Sequence, residues 1–341
     1  MMNMIVFEFR DAEKKFFEEH KFQDLNITFF SEPLNEDFVE TLDQELLDNT
    51  NIISVFINSF VNKAVIDKFK NLRIISTRST GYDHICVNSC QYRNIAVVNV
   101  VNYGETSVAQ FTFGLILALI RKLPQADRFM KMRGGVSKSF IGRDISKLTL
   151  GVVGTGAIGA AVCKIGKSFG MKLLGFDINK KQELIEKFDV EYLSLEELVE
   201  NSDIISLHLP YLPKNYHLFN DKLFSKCRDN MYFINTSRGE LVDVEALYKY
   251  FERGKIAGIA LDVLACEDVC MQCFELTQKM DDVPFDCLLE AQYIEKLSKY
   301  DNVLLTPHIA YETQDAIDYI LEKTMENIRN TIKGDNMCRI V

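Results

Sequence analysis

A chain of 341 residues, 47% of them hydrophobic and 26% charged, is long enough for two domains and has the balance of a globular enzyme. A formal net charge of −10 argues against a nucleic-acid or anionic-membrane surface, either of which needs clustered cations. The first residues lack a basic region and meet Glu8 and Arg10 early, and the longest apolar run (113–120) is far shorter than a membrane span. The expected location is therefore the cytoplasm, with no membrane partner.

Taken in chain order, short β-rich runs at 5–9, 27–30, 52–56, 74–77 and 96–100 alternate with helix-period segments such as 12–20 and 37–47. Strands alternating with helices imply parallel βαβ packing in a first α/β domain. A nearly all-apolar helix is predicted from about Ser107 to Lys122, stopped by Pro124 and buried at a domain or subunit interface. Alternation resumes with strands at 148–153, 204–209, 231–235, 258–262 and 303–306, an acidic helix at 195–201 and a helical patch at 288–298. A last helix, 313–332, returns the chain to the first domain. The predicted fold is α/β: two Rossmann-like or flavodoxin-like parallel-sheet domains with a cleft between them. One domain is discontinuous (1–101 and 302–341) and the other spans 102–301.

The most specific signal is the turn Gly154-Thr-Gly156-Ala157-Ile158-Gly159 between an apolar strand and a helix, with Asp177 ending the next apolar run 18 residues beyond the last glycine. Gly154 permits a tight turn, Gly156 lets the backbone approach a pyrophosphate, and Gly159 lets helix and strand pack closely. The unpaired N–H groups at the helix start then face the phosphates. Asp177 accepts a ribose diol and repels a 2′-phosphate, which favours NAD over NADP.

Nine cysteines, an odd number, point to reduced thiols rather than a disulfide framework. Cys270-Met-Gln-Cys273 has metal-ligand spacing, but with Cys266 and Cys287 it makes only one tight pair where zinc wants two. No metal is expected, and these are read as loop thiols.

Three further segments put polar residues just past strands, where open α/β sheets place ligands. They carry Arg238, the pair Asp262 and Glu267, and His308. Singly, each has a bland reading as an ion pair, a solvated charge or a satisfied histidine. Together, beside a dinucleotide motif, they match reduction of a 2-oxo acid: Arg238 grips the carboxylate and polarises the carbonyl, His308 supplies the proton, and Glu267 stabilises the imidazolium.

These motifs, with Phe9-Arg-Asp11, Leu207-His-Leu-Pro210 and Thr306-Pro-His-Ile-Ala310, cover essentially the whole chain. The sequence resembles the D-isomer-specific 2-hydroxyacid dehydrogenases, and within them most the D-lactate dehydrogenases. The resemblance implies Arg238, Glu267 and His308 as the catalytic set. It implies substrate contacts from Thr80, Gly81, Tyr103 and Arg238. On the cofactor side it carries over Gly154, Gly156, Ala157, Ile158, Gly159, Asp177, Leu209, Pro210, Asn215, Thr236, Ser237 and Asp262, the last usually meeting the nicotinamide amide. It also implies a homodimer acting on a small 2-oxo or 2-hydroxy acid, pyruvate and D-lactate first. The chain departs from the family at Val101-Asn-Tyr-Gly-Glu105, at Gln110 and at Glu312. A bulkier branched-chain substrate is the nearest alternative, and an NADH-sensing corepressor role a more distant one.

Overall fold

The computed structural model describes residues 1–20, 22, 24–132, 139–272, 283–334 and 339–341. The chain forms two compact units, residues 1–103 with 312–341, and residues 104–311.

The first unit is built on a parallel sheet of β1 (Met2–Val6), β2 (Leu25–Phe29), β3 (Ile52–Val55), β4 (Ile74–Thr77) and β5 (Ala96–Val98), in the order β2-β1-β3-β4-β5. Its central strands are apolar on both faces, as a parallel sheet covered on both sides requires. Ile5, Ile53, Val55, Ile75 and Val97 pack into one core. Met4, Val6, Ile52, Ile74, Ala96 and Val98 pack into the other, against Leu321, Met325 and Ile328 of the closing helix Gln314–Ile332. The single helix expected over 37–47 is two, Glu36–Glu40 and Gln44–Asn49. The first ends at the Thr41 cap, and Asp43 starts the second, because its carboxylate accepts the N–H groups of Glu45 and Leu46.

The second unit carries β6 (Thr149–Val153), β7 (Lys172–Phe176), β8 (Glu191–Tyr192), β9 (Ile204–Leu207), β10 (Met231–Asn235), β11 (Ile256–Leu261) and β12 (Val303–Leu305). All are parallel, in the order β12-β11-β10-β9-β6-β7-β8. Strand order reverses direction at β6, so a crevice opens at the carboxyl ends of β6 and β9. The domain boundary expected at 302 falls at 312 instead, because β12 pairs with β11 and so stays in the second unit.

The apolar helix is Glu105–Ile120 and packs on helix Ala157–Ser168 and on the sheet within its own unit. Those contacts bury Ala109, Phe113, Ile116 and Ile120 against the core of that unit. Pro124 does not stop it. The break is at Lys122 (φ 54°), and Pro124 lies in the first turn of the next helix, Leu123–Lys131, where a missing N–H costs nothing. Among the described residues no single helix is long and apolar enough to cross a membrane.

Candidate active site

The glycine turn is required by its surroundings. Gly154 has φ 93°, and a Cβ there would stand 2.6 Å from the His208 carbonyl oxygen. A Cβ on Gly159 would stand 1.9 Å from the Gly154 carbonyl oxygen, so helix Ala157–Ser168 can approach β6 only with glycine there. Gly156 is different. A Cβ would meet nothing within 4 Å, so its backbone faces open space at a helix start that has no side-chain cap. That is room for a pyrophosphate beside unpaired N–H groups.

Asp177, just past β7, accepts the Thr155 N–H at 2.6 Å and the Asn179 N–H at 2.8 Å, which holds its carboxylate beside the turn. Lys181 reaches back to donate to the Gly156 carbonyl at 2.9 Å, a contact the sequence did not suggest. Leu209 packs over Gly154. Asn215 ties the loop after β9 together, accepting the Leu212 N–H at 2.7 Å and donating to the Pro210 carbonyl at 2.9 Å. Thr236 is buried and bonded to Thr112 (3.0 Å), while Ser237 donates to Asn235 at 2.8 Å. These residues therefore order the loops that follow β9 and β10 at the carboxyl edge of the sheet.

His208 ends β9 next to the same crevice. Burial pushes its pKa down to about 3, and Nε2 lies 2.8 Å from the Ser206 hydroxyl. It stays neutral and is no proton donor at working pH.

The histidine past β12 is placed differently. His308 follows β12 with φ 54°, and Nδ1 lies 3.0 Å from Glu267 Oε2, both side chains about one-fifth exposed. The segment is held by Asp262. Its buried carboxylate accepts the Thr306 hydroxyl (2.6 Å) and the N–H groups of Ile309 (3.0 Å) and Ala310 (2.9 Å), while its carbonyl accepts the His308 N–H at 2.8 Å. Asp262 thus fixes the backbone that presents the histidine, a role that spacing alone does not reveal.

Arg238 lies in a turn fixed by Asn235, which accepts the Ser237 N–H at 3.0 Å and donates to the Arg238 carbonyl at 2.8 Å. The next residue, Gly239, abuts the loop that leads to Glu267: a Cβ on it would stand 2.0 Å from the Ala265 nitrogen. The turn bearing Arg238 and the loop bearing Glu267 are therefore packed backbone to backbone. A cavity of about 440 Å³ opens beside Glu267, lined by Asp262, Leu264, Cys270 and Pro307 among others.

Thr80 and Gly81 lie past β4 in the first unit. The Thr80 hydroxyl donates to the Val100 carbonyl (3.0 Å) and Ser79 to the Gly81 carbonyl (2.6 Å), which fixes the loop backbone. Tyr103 is the last residue before the second unit begins. Glu312 pairs with Arg10, whose guanidinium lies over the Phe56 ring.

The cysteine reading needs correction. Cys266 and Cys287 form a disulfide. The chain turns after Val263 and brings Cys266 against the first turn of helix Phe285–Ser298, with the two Cα atoms 5.5 Å apart. Cys273 lies outside the described residues, among which no group of three or more acidic, histidine or cysteine side chains is placed to hold a metal ion.

A family profile described as D-isomer specific 2-hydroxyacid dehydrogenase, NAD binding domain, matches residues 113–310. The chain belongs to the D-isomer-specific 2-hydroxyacid dehydrogenases. It is 34% identical to an aromatic 2-oxoacid reductase of Clostridium sporogenes over 84% of this chain and 86% of that one. It is 31% identical to a D-lactate dehydrogenase of Lactiplantibacillus plantarum over 97% of each. The crystal structure of the D-lactate dehydrogenase of Aquifex aeolicus complexed with NAD and lactic acid is similar with a TM-score of 0.87, at 34% identity over 99% of either chain. This dehydrogenase is thus an NAD-dependent oxidoreductase acting on a CH–OH group of a small 2-hydroxy acid or on the matching 2-oxo acid. Its open glycine turn and the carboxylate of Asp177 fit that cofactor.

Proposed function

We propose that this dehydrogenase reduces pyruvate to D-lactate, reversibly. The observation that carries the reading is the His308–Glu267 contact on loops that end two strands of the NAD-binding unit. NADH, when bound, supplies the hydride that adds to the carbonyl carbon. Arg238 holds the carboxylate of the 2-oxo acid and polarises its carbonyl. With Nδ1 engaged by Glu267, the other ring nitrogen of His308 is the one that protonates the carbonyl oxygen. Glu267 stabilises the imidazolium that must be present at that moment. Thr80 and Gly81 offer backbone N–H groups to the carboxylate, and Tyr103 contacts the substrate. Residues 1–103 with 312–341 form the substrate domain on this reading.

Pyruvate is supported by similarity over nearly the full length to D-lactate dehydrogenases. A larger side chain is the second reading, favoured by the similarity to an aromatic 2-oxoacid reductase. The same family reading carries a homodimer in the cytoplasm, which sedimentation and fractionation would test. The deciding experiment is kcat/KM with NADH across pyruvate, glyoxylate, branched-chain and aromatic 2-oxo acids. Pyruvate preferred is the expected result; a preference of tenfold or more for a larger acid would replace it with the second reading. NADH binding without turnover on any of them would make the protein a sensor.

A further inference from the structure

The residue before Glu267 is cross-linked. Cys266 is joined to Cys287, 21 residues later, at the start of helix Phe285–Ser298. Two hydrogen bonds order the same short segment. The Leu264 N–H donates to Glu267 Oε1 (3.3 Å) and the Cys270 N–H to the Cys266 carbonyl (3.0 Å), while Glu290, one turn along the helix from Cys287, lies near the Ala265 N–H, which lowers its pKa. Cys266 itself has φ 52°, a left-handed conformation that a side chain adopts only when its neighbours impose it. The covalent bond to Cys287 is such a restraint, and both cysteines are partly exposed, within reach of a reductant.

We propose that the Cys266–Cys287 disulfide is a reversible redox site that sets the activity of this dehydrogenase by clamping the loop that carries Glu267. The proposal rests on Glu267 being the partner of His308 in catalysis, as read above. In reducing compartments persisting disulfides are mostly catalytic or redox-sensing rather than structural, which fits a bond beside the active residues rather than deep in a core. The co-reactant is a dithiol. Its thiolate attacks one sulfur of the pair, the Cys266–Cys287 bond breaks, and the displaced sulfur leaves as a thiolate that takes a proton. The second thiolate of the reductant then displaces the first enzyme sulfur, which also takes a proton. The enzyme gains two electrons and two protons, and the reductant becomes a disulfide. An oxidised dithiol reverses the exchange. Once reduced, the segment from Leu264 to Cys270 loses its covalent tie to the helix, and its remaining hydrogen bonds open more readily. The strained Cys266 backbone can then relax, and Glu267 drifts from His308.

The test uses the full chain purified without reductant, then treated with dithiothreitol, then reoxidised with oxidised dithiothreitol. Peptide mapping of alkylated protein should find Cys266 linked to Cys287 before treatment and both as thiols after. Reduction should lower kcat by about tenfold, since a misplacement of ~1 Å in a catalytic group costs up to 10²-fold. KM for NADH should hold, because the glycine turn is untouched. Amide exchange at Leu264, Ala265 and Cys270 should speed up on reduction and slow again on reoxidation. Cys287→Ser should resemble the reduced enzyme and ignore dithiothreitol. Two thiols in the untreated protein would overturn the proposal, as would kcat and amide exchange that are the same in both states. Loss of turnover on every 2-oxo acid in both states would instead overturn the functional reading, and the amide exchange would still decide the clamp.

Discussion

Nδ1 of His308 stands 3.0 Å from Oε2 of Glu267, and 41 positions of sequence separate the two. Each is delivered by the loop after a different strand, Glu267 after β11 and His308 after β12, and those strands are paired neighbours. The contact is thus set by the sheet register. His308→Gln removes the proposed proton donor while leaving the loop bonded to Asp262. Its kcat should fall by roughly 10²–10⁴-fold, with the dissociation constant for NADH nearly unchanged. Glu267→Gln should cost less, because a polar partner for Nδ1 remains. Stopped-flow turnover with NADH and pyruvate measures both, and a wild-type rate in His308→Gln would remove the histidine from the mechanism.

Arg238 makes a different prediction. A lysine there keeps the charge but loses the planar fork that grips a carboxylate at two points. Arg238→Lys should lower kcat/KM for the 2-oxo acid by roughly 10²-fold, the value of about one charge-assisted hydrogen bond or two. Both kcat and KM should worsen, since on the proposed mechanism the same cation binds the substrate and polarises its carbonyl. A change confined to KM would assign Arg238 to binding alone.

Much of this arrangement was legible because parallel strands buried on both faces read as plain apolar runs, and β1 through β12 include every strand expected from such runs. The glycine turn was legible because backbone crowding at Gly154 and Gly159 admits no side chain. What escaped depended on tertiary proximity. The Cys266–Cys287 bond joins a loop to a helix across a stretch with no spacing rule. The hold of Asp262 on residues 306–310 runs through backbone N–H groups, which any sequence supplies. The break at Thr41–Asp43 was hidden because Leu42 and Leu46 continue a helical pattern through it.

Asp177 has one duty in the structure and a second on the proposed reading, and its removal should show both. Its carboxylate accepts the Thr155 and Asn179 N–H groups, and on the proposed reading it also accepts the ribose diol of NAD. Asp177→Ala should narrow the preference for NADH over NADPH by about tenfold or more, as a repelling charge beside the 2′ position disappears. Lys181 is bonded to the Gly156 carbonyl of the same turn, so a cation stays beside it once the aspartate is gone. The variant should also lose about 1–2 kcal/mol of stability for the orphaned N–H groups, measured by denaturant unfolding. Unchanged cofactor preference would move the selecting residue elsewhere.

Glu290 supplies a prediction in pH. Burial, with Asp243 and Glu240 nearby, pushes its carboxyl from the ordinary value of 4.5 up to about 8, against the opposing effect of the Ala265 N–H. The folded protein therefore holds this proton more tightly than the unfolded chain does. By linkage, the stability contributed is fully present below about pH 4.5, falls between there and about 8, and is lost above. Glu290→Gln keeps an oxygen to accept the Ala265 N–H and cannot ionise. Its stability relative to wild type should therefore rise as pH increases across that window, reaching a gain on the order of 2 kcal/mol, discounted for the carboxyl's residual exposure. Urea unfolding at about pH 5 and about pH 9 measures the difference. If the two proteins keep a constant gap across the window, Glu290 titrates as an ordinary carboxylate and its burial is relieved by water or by movement of the helix.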